Sequence, residues 1–211
     1  MKSKLAVILL TAVFGFGCAS SGFVKIENDW ANDKWEKGAS EKVMILALFN
    51  DPGGREDLED AFAIHLRKEG IRAAASRNFI PTFKDVTRES VREAVVKEGF
   101  DAVLTIRLVD MTAGKHSYKS DWFARSEMLY YNSFYNYYDE ASIGVFTMAR
   151  PGKGTTDYIQ VKVETNLYAT DGDGTLLYSG ISQGTTSRRL GEARAEFVKA
   201  ISKRLGRLGL L

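Results

Sequence analysis

A serine and two histidines are the first residues of this chain whose types suggest catalysis. Residues 180–184, with the sequence GISQG, match the G-x-S-x-G spacing that places a nucleophilic serine on a sharp turn between a strand and a helix. In hydrolases of that kind the acid and then the histidine follow the serine, whereas His65 and His116 both precede Ser182. Glycines near the end of a strand explain the spacing better, and an envelope hydrolase using Ser182 is kept as the alternative hypothesis.

The other polar motifs predict neither a metal nor a cofactor. His65 and His116 lie far apart and the chain has one cysteine, so no zinc-ligand spacing results. Residues 171–175 (DGDGT) begin like a calcium loop, but position 12 of that loop is Ser182 instead of glutamate, and a hairpin turn is predicted there. The glycine pair 53–54 lacks both the G-x-G-x-x-G pattern and the P-loop lysine that bind phosphate.

Four carboxylates stand close together where the first helix is predicted to begin: Glu56, Asp57, Glu59 and Asp60. Paired carboxylates can act as general acid and base. Acidic residues also favour the positive N-terminal end of a helix. We expect a solvated first helical turn with no catalytic role.

The N-terminus has the layout of a secretory signal peptide. Lys2 and Lys4 precede the apolar run 5–16, whose length of about a dozen residues is less than the roughly 20 that a spanning helix needs. Cys18, the only cysteine, follows directly. The segment resembles bacterial lipoprotein signal peptides, in which a cysteine at this place receives diacylglycerol on its sulfur. We predict that residues 1–17 are removed and that lipid on Cys18 attaches the mature chain to a membrane.

Location and charge narrow the classes of partner. The residue after the cysteine is Ala19 and not aspartate, which resembles the signal for transport on to the outer membrane. We therefore expect a lipid-anchored protein of the outer membrane that faces the periplasm. The formal net charge of +2 comes from Lys2 and Lys4, which leaves the mature chain neutral. Nucleic-acid binding, which calls for a basic patch, is therefore not expected.

The first part of the mature chain alternates strands with helices. We interpret the polar stretch 18–40 as a lipidated tether that becomes ordered toward its end, followed by a single α/β domain over 41–211. Short apolar runs separated by amphipathic stretches are typical of parallel β-α-β units with right-handed crossovers. The predicted elements are strands over 43–49, 71–75 and 102–109, one helix that ends at Gly70, and another that runs from Thr87 to Gly99.

The second part of the domain departs from this alternation. An aromatic insertion occupies about 112–140. Antiparallel strands, a hairpin turn and a closing helix are predicted after it, at 143–148, 158–168, 171–174, 176–182 and 190–208. The predicted fold class is α/β, with a βαβαβ core, added antiparallel strands and a C-terminal helix.

The insertion is the most informative feature outside the signal. Tyrosine and tryptophan combine a large apolar surface with one polar atom, which suits protein interfaces, glycan stacking and the headgroup zone of membranes. We predict that its rings bind a partner, and the alternative is that the insertion folds back and covers the sheet. The candidate partner-binding residues are Trp122, Tyr130, Tyr131, Phe134, Tyr135, Tyr137 and Tyr138.

Several segments of the mature chain also carry a family resemblance. They are 43–50, the run 59–62 (EDAF) with Gly70 beyond it, 99–104 (GFDAVL), 107–109, the aromatic insertion, 164–168 (ETNLY) and the closing helix. In these segments the chain resembles a group of uncharacterised lipoproteins from Gram-negative bacteria. The resemblance implies an α/β layout similar to that of the curli-secretion and penicillin-binding-protein-activator lipoproteins, and it brings no catalytic residues. We therefore expect a noncatalytic envelope scaffold or interaction module that binds a protein or cell-wall partner.

Overall fold

The computed structural model describes six ranges of the chain: 24–48, 51–113, 116–119, 159–172, 174–186 and 190–211. The strands are β1 (Val24–Ala31), β2 (Lys42–Leu48), β3 (Arg72–Ala75), β4 (Ala102–Ala113), β5 (His116–Lys119), β6 (Ile159–Ala169) and β7 (Leu176–Thr186). The helices are α1 (Pro52–Lys68), α2 (Arg88–Glu98) and α3 (Leu190–Arg207), with 3-10 turns at Ser76–Asn78 and Phe83–Asp85. The predicted α/β class is confirmed. No helix in these ranges is long and apolar enough to cross a membrane.

A single mixed sheet connects these strands. Its order is β1-β7-β6-β4-β2-β3, and β5 pairs with β4 beyond the end of β2. β2 pairs in parallel with both β3 and β4, which confirms the predicted βαβαβ core. β6 and β7 are added antiparallel to it, as the predicted hairpin between them implies, and β1, which was not predicted, pairs antiparallel with β7.

The core lies on both faces of the sheet. β2 has an uninterrupted apolar sequence because each of its faces is covered. Val43 and Ile45 pack with residues of α1 and α3, whereas Met44 and Leu46 pack with residues of α2. All four are 0% exposed, so β2 is the centre of the fold.

The two core helices begin where the sequence predicts. The Asp51 carboxylate accepts a hydrogen bond of 2.8 Å from the Gly54 amide at the start of α1. Thr87 and Ser90 form a reciprocal capping box at the start of α2. Gly99 ends α2 with φ of 65°, a left-handed conformation that glycine adopts without strain.

β1 lies within the stretch where the sequence predicts a tether. The strand Val24–Ala31 forms an edge of the sheet, and Val24 and Ile26 pack against the core beneath α3. A β-bulge between Ile26 and Asn28 interrupts the alternation of apolar and polar residues, which is why the sequence pattern does not reveal a strand. The structure therefore places Val24–Ala31, within the stretch that is predicted to become ordered toward its end, in the sheet.

The remaining differences concern the second part of the chain. β4 continues to Ala113, beyond the predicted end at 109, and pairs there with β5, which the sequence does not predict. The predicted strand at 143–148 lies outside the described residues. The turn between β6 and β7 is confirmed, with Gly172 and Gly174 in left-handed conformations (φ of 60° and 82°).

Candidate functional site

Ser182, the predicted alternative nucleophile, lies within β7 and not at a turn. It is 1% exposed, on the face of β7 that also carries Tyr178, and its Oγ has no hydrogen-bond partner among the described residues. The strand continues past it to Thr186, whereas a nucleophile elbow requires a turn from strand to helix at the serine. The geometry of β7 contradicts the elbow, so the G-x-S-x-G spacing is not a catalytic motif here.

His65 lies on α1 and is partly buried. Its side chain is 27% exposed, and its Nε2 lies 3.7 Å from Glu69 Oε1 one turn along the helix. His116 belongs to β5, where the structure describes the backbone only. Within the described ranges, no three histidine, cysteine or acidic side chains come together as metal ligands.

Replacing Ser182 with alanine is expected to leave the free energy of unfolding within about 1 kcal/mol of the wild-type value, or to raise it, because a buried hydroxyl without a protein partner is removed. Urea unfolding of the two proteins measures the difference. A loss greater than about 2 kcal/mol would show that Oγ has a partner that matters for stability.

The ring of Tyr178 lies against the backbone of Gly180 and leaves no space for a side chain there. A Cβ atom at Gly180 would lie 2.3 Å from the Tyr178 hydroxyl oxygen and 2.8 Å from its Cζ, so only glycine fits beneath the ring. Asp29 of β1 is the strand partner of Gly180, and its carboxylate accepts a hydrogen bond from Arg204 of α3. Burial, and then the charge of the neighbouring Asp29 carboxylate, raise the pKa of Tyr178 well above 10.0, so its hydroxyl stays neutral.

Several polar side chains lie around Gly180, between the sheet and α3. Thr165, the partner of Gly180 on β6, is 0% exposed. The hydroxyls of Thr165 and Ser182 have no hydrogen-bond partner among the described residues, whereas the Tyr178 hydroxyl lies beside the Asp29 carboxylate. Asp29 and Arg204 join β1 to α3 at this place, so the motif that resembled a nucleophile elbow is part of the packing of the C-terminal helix.

Gly180→Ala is expected to lower the free energy of unfolding by about 1–3 kcal/mol, because the added methyl group forces the buried Tyr178 ring to move. Thermal or urea unfolding checks the loss. The matched control is Gly206→Ala in α3, where an added Cβ meets no atom within 4 Å. We expect the control to be neutral or slightly stabilising, since alanine favours helices over glycine. Equal losses in the two variants would show that contact with Tyr178 is not the cause.

Glu59 contradicts the expectation of a solvated helical turn, because it is 0% exposed. Its Oε1 accepts hydrogen bonds from the Ala47 amide (3.0 Å), Arg55 Nε (3.0 Å) and Ser76 Oγ (2.7 Å). Its Oε2 accepts a bond of 3.0 Å from the Arg77 amide. Both carboxylate oxygens are therefore satisfied by elements that lie apart in the sequence.

Arg55 extends this buried network. Its Nη2 donates to Ser76 Oγ (2.8 Å) and to the Ile80 carbonyl (2.9 Å). The network lies where β2 and β3 end, the edge at which parallel sheets commonly hold ligands. Here the Glu59 oxygens are turned toward the protein's own backbone and side chains, so the network joins α1 to the sheet.

Glu56 and Asp57 are exposed and Asp60 is partly buried, and each of the three carboxylates is paired. Arg77 Nη2 lies 2.7 Å from Asp60, and Arg77 Nη1 lies 3.6 Å from Glu56. The hydrogen bond to Asp60 raises the pKa of Arg77. Asp57 pairs with Arg194 of α3. These contacts are ion pairs at the surface and contribute little each.

A second buried ion pair joins two neighbouring strands of the sheet. Arg107 of β4 and Glu164 of β6 are strand partners, and Arg107 donates to Glu164 through Nε (2.8 Å) and Nη2. Asn166 Nδ2 donates to the other oxygen of Glu164 at 3.3 Å. Each of the three residues is less than a tenth exposed. The segments 107–109 and 164–168, which carry part of the family resemblance, thus meet in one polar cluster.

A shallow cavity of about 320 Å³ opens beside the edge strand β3. Its lining includes Lys42, Arg72 and Phe100. Lys42 donates to the Glu98 carbonyl, and Arg72 pairs with Glu41 at 3.2 Å. Both cations thus have partners on neighbouring residues, and we assign the cavity no ligand.

The predicted sites of lipidation and partner binding lie outside the described residues. They are Cys18, Trp122, Tyr130, Tyr131, Phe134, Tyr135, Tyr137 and Tyr138. Their roles stay predictions from the sequence. The buried polar clusters at Glu59 and at Arg107 were not predicted as sites.

Comparison with known proteins gives neither a family nor a function. No protein-family model and no curated protein matches the chain. Among solved structures, a PelC dodecamer from Paraburkholderia phytofirmans is 13% identical, with a TM-score of 0.47 over 89% of this chain and 99% of that one. The lipoprotein GNA1162 from Neisseria meningitidis is 13% identical, with a TM-score of 0.42 over 79% of this chain and 98% of that one. Similarities this low carry no functional assignment.

Proposed function

We propose that the protein is a lipid-anchored component of the bacterial cell envelope that binds a partner and catalyses no reaction. The observation that carries this proposal is Cys18, the only cysteine, placed directly after a short apolar run with two lysines before it. Diacylglycerol on its sulfur supplies two acyl chains, and two chains are the number that gives stable anchoring. Ala19 after the cysteine favours the outer membrane, with the domain in the periplasm.

The noncatalytic part of the proposal is supported by the places where reactive side chains lie. Ser182 is buried within a strand, and Glu59 has both oxygens occupied by the protein itself. Arg107 and Glu164 neutralise each other on the sheet. These groups, which lie in the described part of the chain, thus belong to the packing of the fold.

The contact surface for the partner is assigned to the aromatic insertion. Six rings crowd into positions 130–138 without an intervening charge. In a strand, Tyr131 and Tyr135 would share one face, and in a helix Tyr130, Phe134 and Tyr138 would form a stripe. Either arrangement leaves rings that a small domain can hardly bury, and such rings favour contact with an envelope protein or the cell wall.

Replacing Tyr131, Tyr135 and Tyr138 together with serine is expected to weaken recovery of the partner while leaving stability and Cys18 acylation unchanged, because the rings supply apolar contact area. Pull-down from detergent-solubilised membranes measures recovery, and urea unfolding of the same variant measures stability. The matched control replaces the polar residues Asn132 and Asn136 with serine. Equal recovery at unchanged stability would remove the binding role, and a large loss of stability would show that the rings cover the sheet instead.

A further inference from the structure

The first residue of β1 lies at the same end of the sheet as the last residues of β4 and β7 and the first residues of β6. Val24, the first residue of β1, pairs with Gly184 of β7, which pairs with Val161 of β6, which in turn pairs with Met111 of β4. These four positions form one row across four strands. We call the part of the sheet around this row the anchor end.

The anchor end extends beyond the parallel core. β4 pairs with β2 as far as Arg107, opposite Leu48, and then continues to Ala113. Six further residues of strand correspond to roughly 20 Å. β5, β6 and β7 accompany β4 along this extension, so the anchor end is a projecting edge of antiparallel strands.

The length of chain before β1 limits how far the anchor end can lie from the lipid. Val24 is the sixth residue after Cys18, and six extended residues reach about 20 Å at most. The opposite end of the sheet, where β4 begins at Ala102, is roughly 30 Å farther along the strand from Met111. A lipid on Cys18 thus brings the anchor end close to the membrane.

The opposite end of the sheet exposes charged side chains. Its loops and helix ends expose a dense mixture of both charges, including Lys34, Glu36, Lys37, Lys68 and Lys97. The anchor end also carries charge, because Lys25 is exposed and Glu27 pairs with Lys162 at 3.4 Å, whereas the exposed Thr185 is uncharged. The short chain before β1, and not the distribution of charge, therefore decides which end of the sheet lies near the lipid.

We propose that the anchor end faces the phospholipid headgroups, so that the strands of the sheet stand away from the membrane and the opposite end points into the surrounding solvent. This inference rests on the proposed lipid anchor at Cys18. It also places the two residues that flank the stretch 120–158, which contains the aromatic rings, near the membrane, because Lys119 and Ile159 pair with Asp110 and Ala113 of the same projecting strand.

Site-directed labelling of the lipidated protein tests this orientation. Lipid occupies the sulfur of Cys18, the only native cysteine, so Thr185→Cys and Lys34→Cys each give one reactive thiol for a fluorescent dye. Each labelled protein is reconstituted into phosphatidylethanolamine and phosphatidylglycerol vesicles that contain a nitroxide on the headgroup. We expect the dye at Thr185 to be quenched about threefold or more beyond the dye at Lys34, since roughly 30 Å or more separates the two ends.

The controls separate failure of the orientation from failure of the anchor. Lys25→Cys, at the same end as Thr185, repeats the test should the first variant not fold. Flotation of the vesicles shows whether the protein is bound at all, and absence from the vesicle fraction would overturn the anchor itself. Flotation together with equal quenching at the two ends, or stronger quenching at Lys34, would overturn the orientation alone.

Discussion

Replacing Glu59 with alanine is expected to lower the free energy of unfolding by roughly 3–5 kcal/mol, the usual cost of breaking a buried ion pair. The carboxylate is 0% exposed and accepts four hydrogen bonds. Its loss would leave the guanidinium of Arg55, which is 2% exposed, without its carboxylate partner. Because domains are commonly stable by about 5–15 kcal/mol, the urea midpoint should fall sharply.

Two further variants define the origin of that loss. Glu56→Ala removes a carboxylate from the same turn, but its side chain is 58% exposed and lies 3.6 Å from Arg77, so we expect a loss of no more than about 1 kcal/mol. The double variant Arg55→Met with Glu59→Leu removes both buried charges and should recover the part of the loss that comes from the unpaired Arg55 charge, while the Ala47 and Arg77 amides still lack their acceptor. Equal losses for Glu56→Ala and Glu59→Ala would contradict the buried network.

The second large effect is expected from Cys18→Ser, which should abolish lipid attachment and leave the protein unprocessed or soluble. The lipid is joined to sulfur before the signal peptide is cut, and a serine hydroxyl does not replace the thiol in that step. Cell fractionation, with the length of the chain measured in each fraction, checks the result. Ala19→Ser changes the next residue and keeps the thiol, so it should fractionate like wild type. A cleaved Cys18→Ser protein that stays with the membranes would contradict the anchor.

The parts of the fold that the sequence predicts are those whose signals are local. The apolar run of β2, the cap at Thr87 and the glycine at Gly99 each act within a few residues, and all three have the predicted roles. β1 escapes the pattern because the bulge at Glu27 shifts its register, and because the polar Asn28 and Asp29 follow directly. Its burial depends on β7, which lies far along the chain.

The buried charges were not predictable because their burial also depends on residues that lie far along the chain. A glutamate in the first turns of a helix is usually solvated, and Glu59 is buried only because Ala47 and Ser76 come to it from β2 and the end of β3. The pairing of Arg107 with Glu164 depends on the register of β4 against β6, which no short window of sequence contains. The lipidation of Cys18, by contrast, is a prediction from a local pattern, that of a signal peptide.

Intact-mass spectrometry of the protein extracted from membranes tests the central claim, the lipid anchor, most directly. The measurement gives the residue at which the mature chain begins and the mass attached to it. We predict a chain that begins at Cys18, with residues 1–17 absent and diacylglycerol on the cysteine sulfur. A mature chain that begins at another residue, or a Cys18 that carries a free thiol, would contradict it.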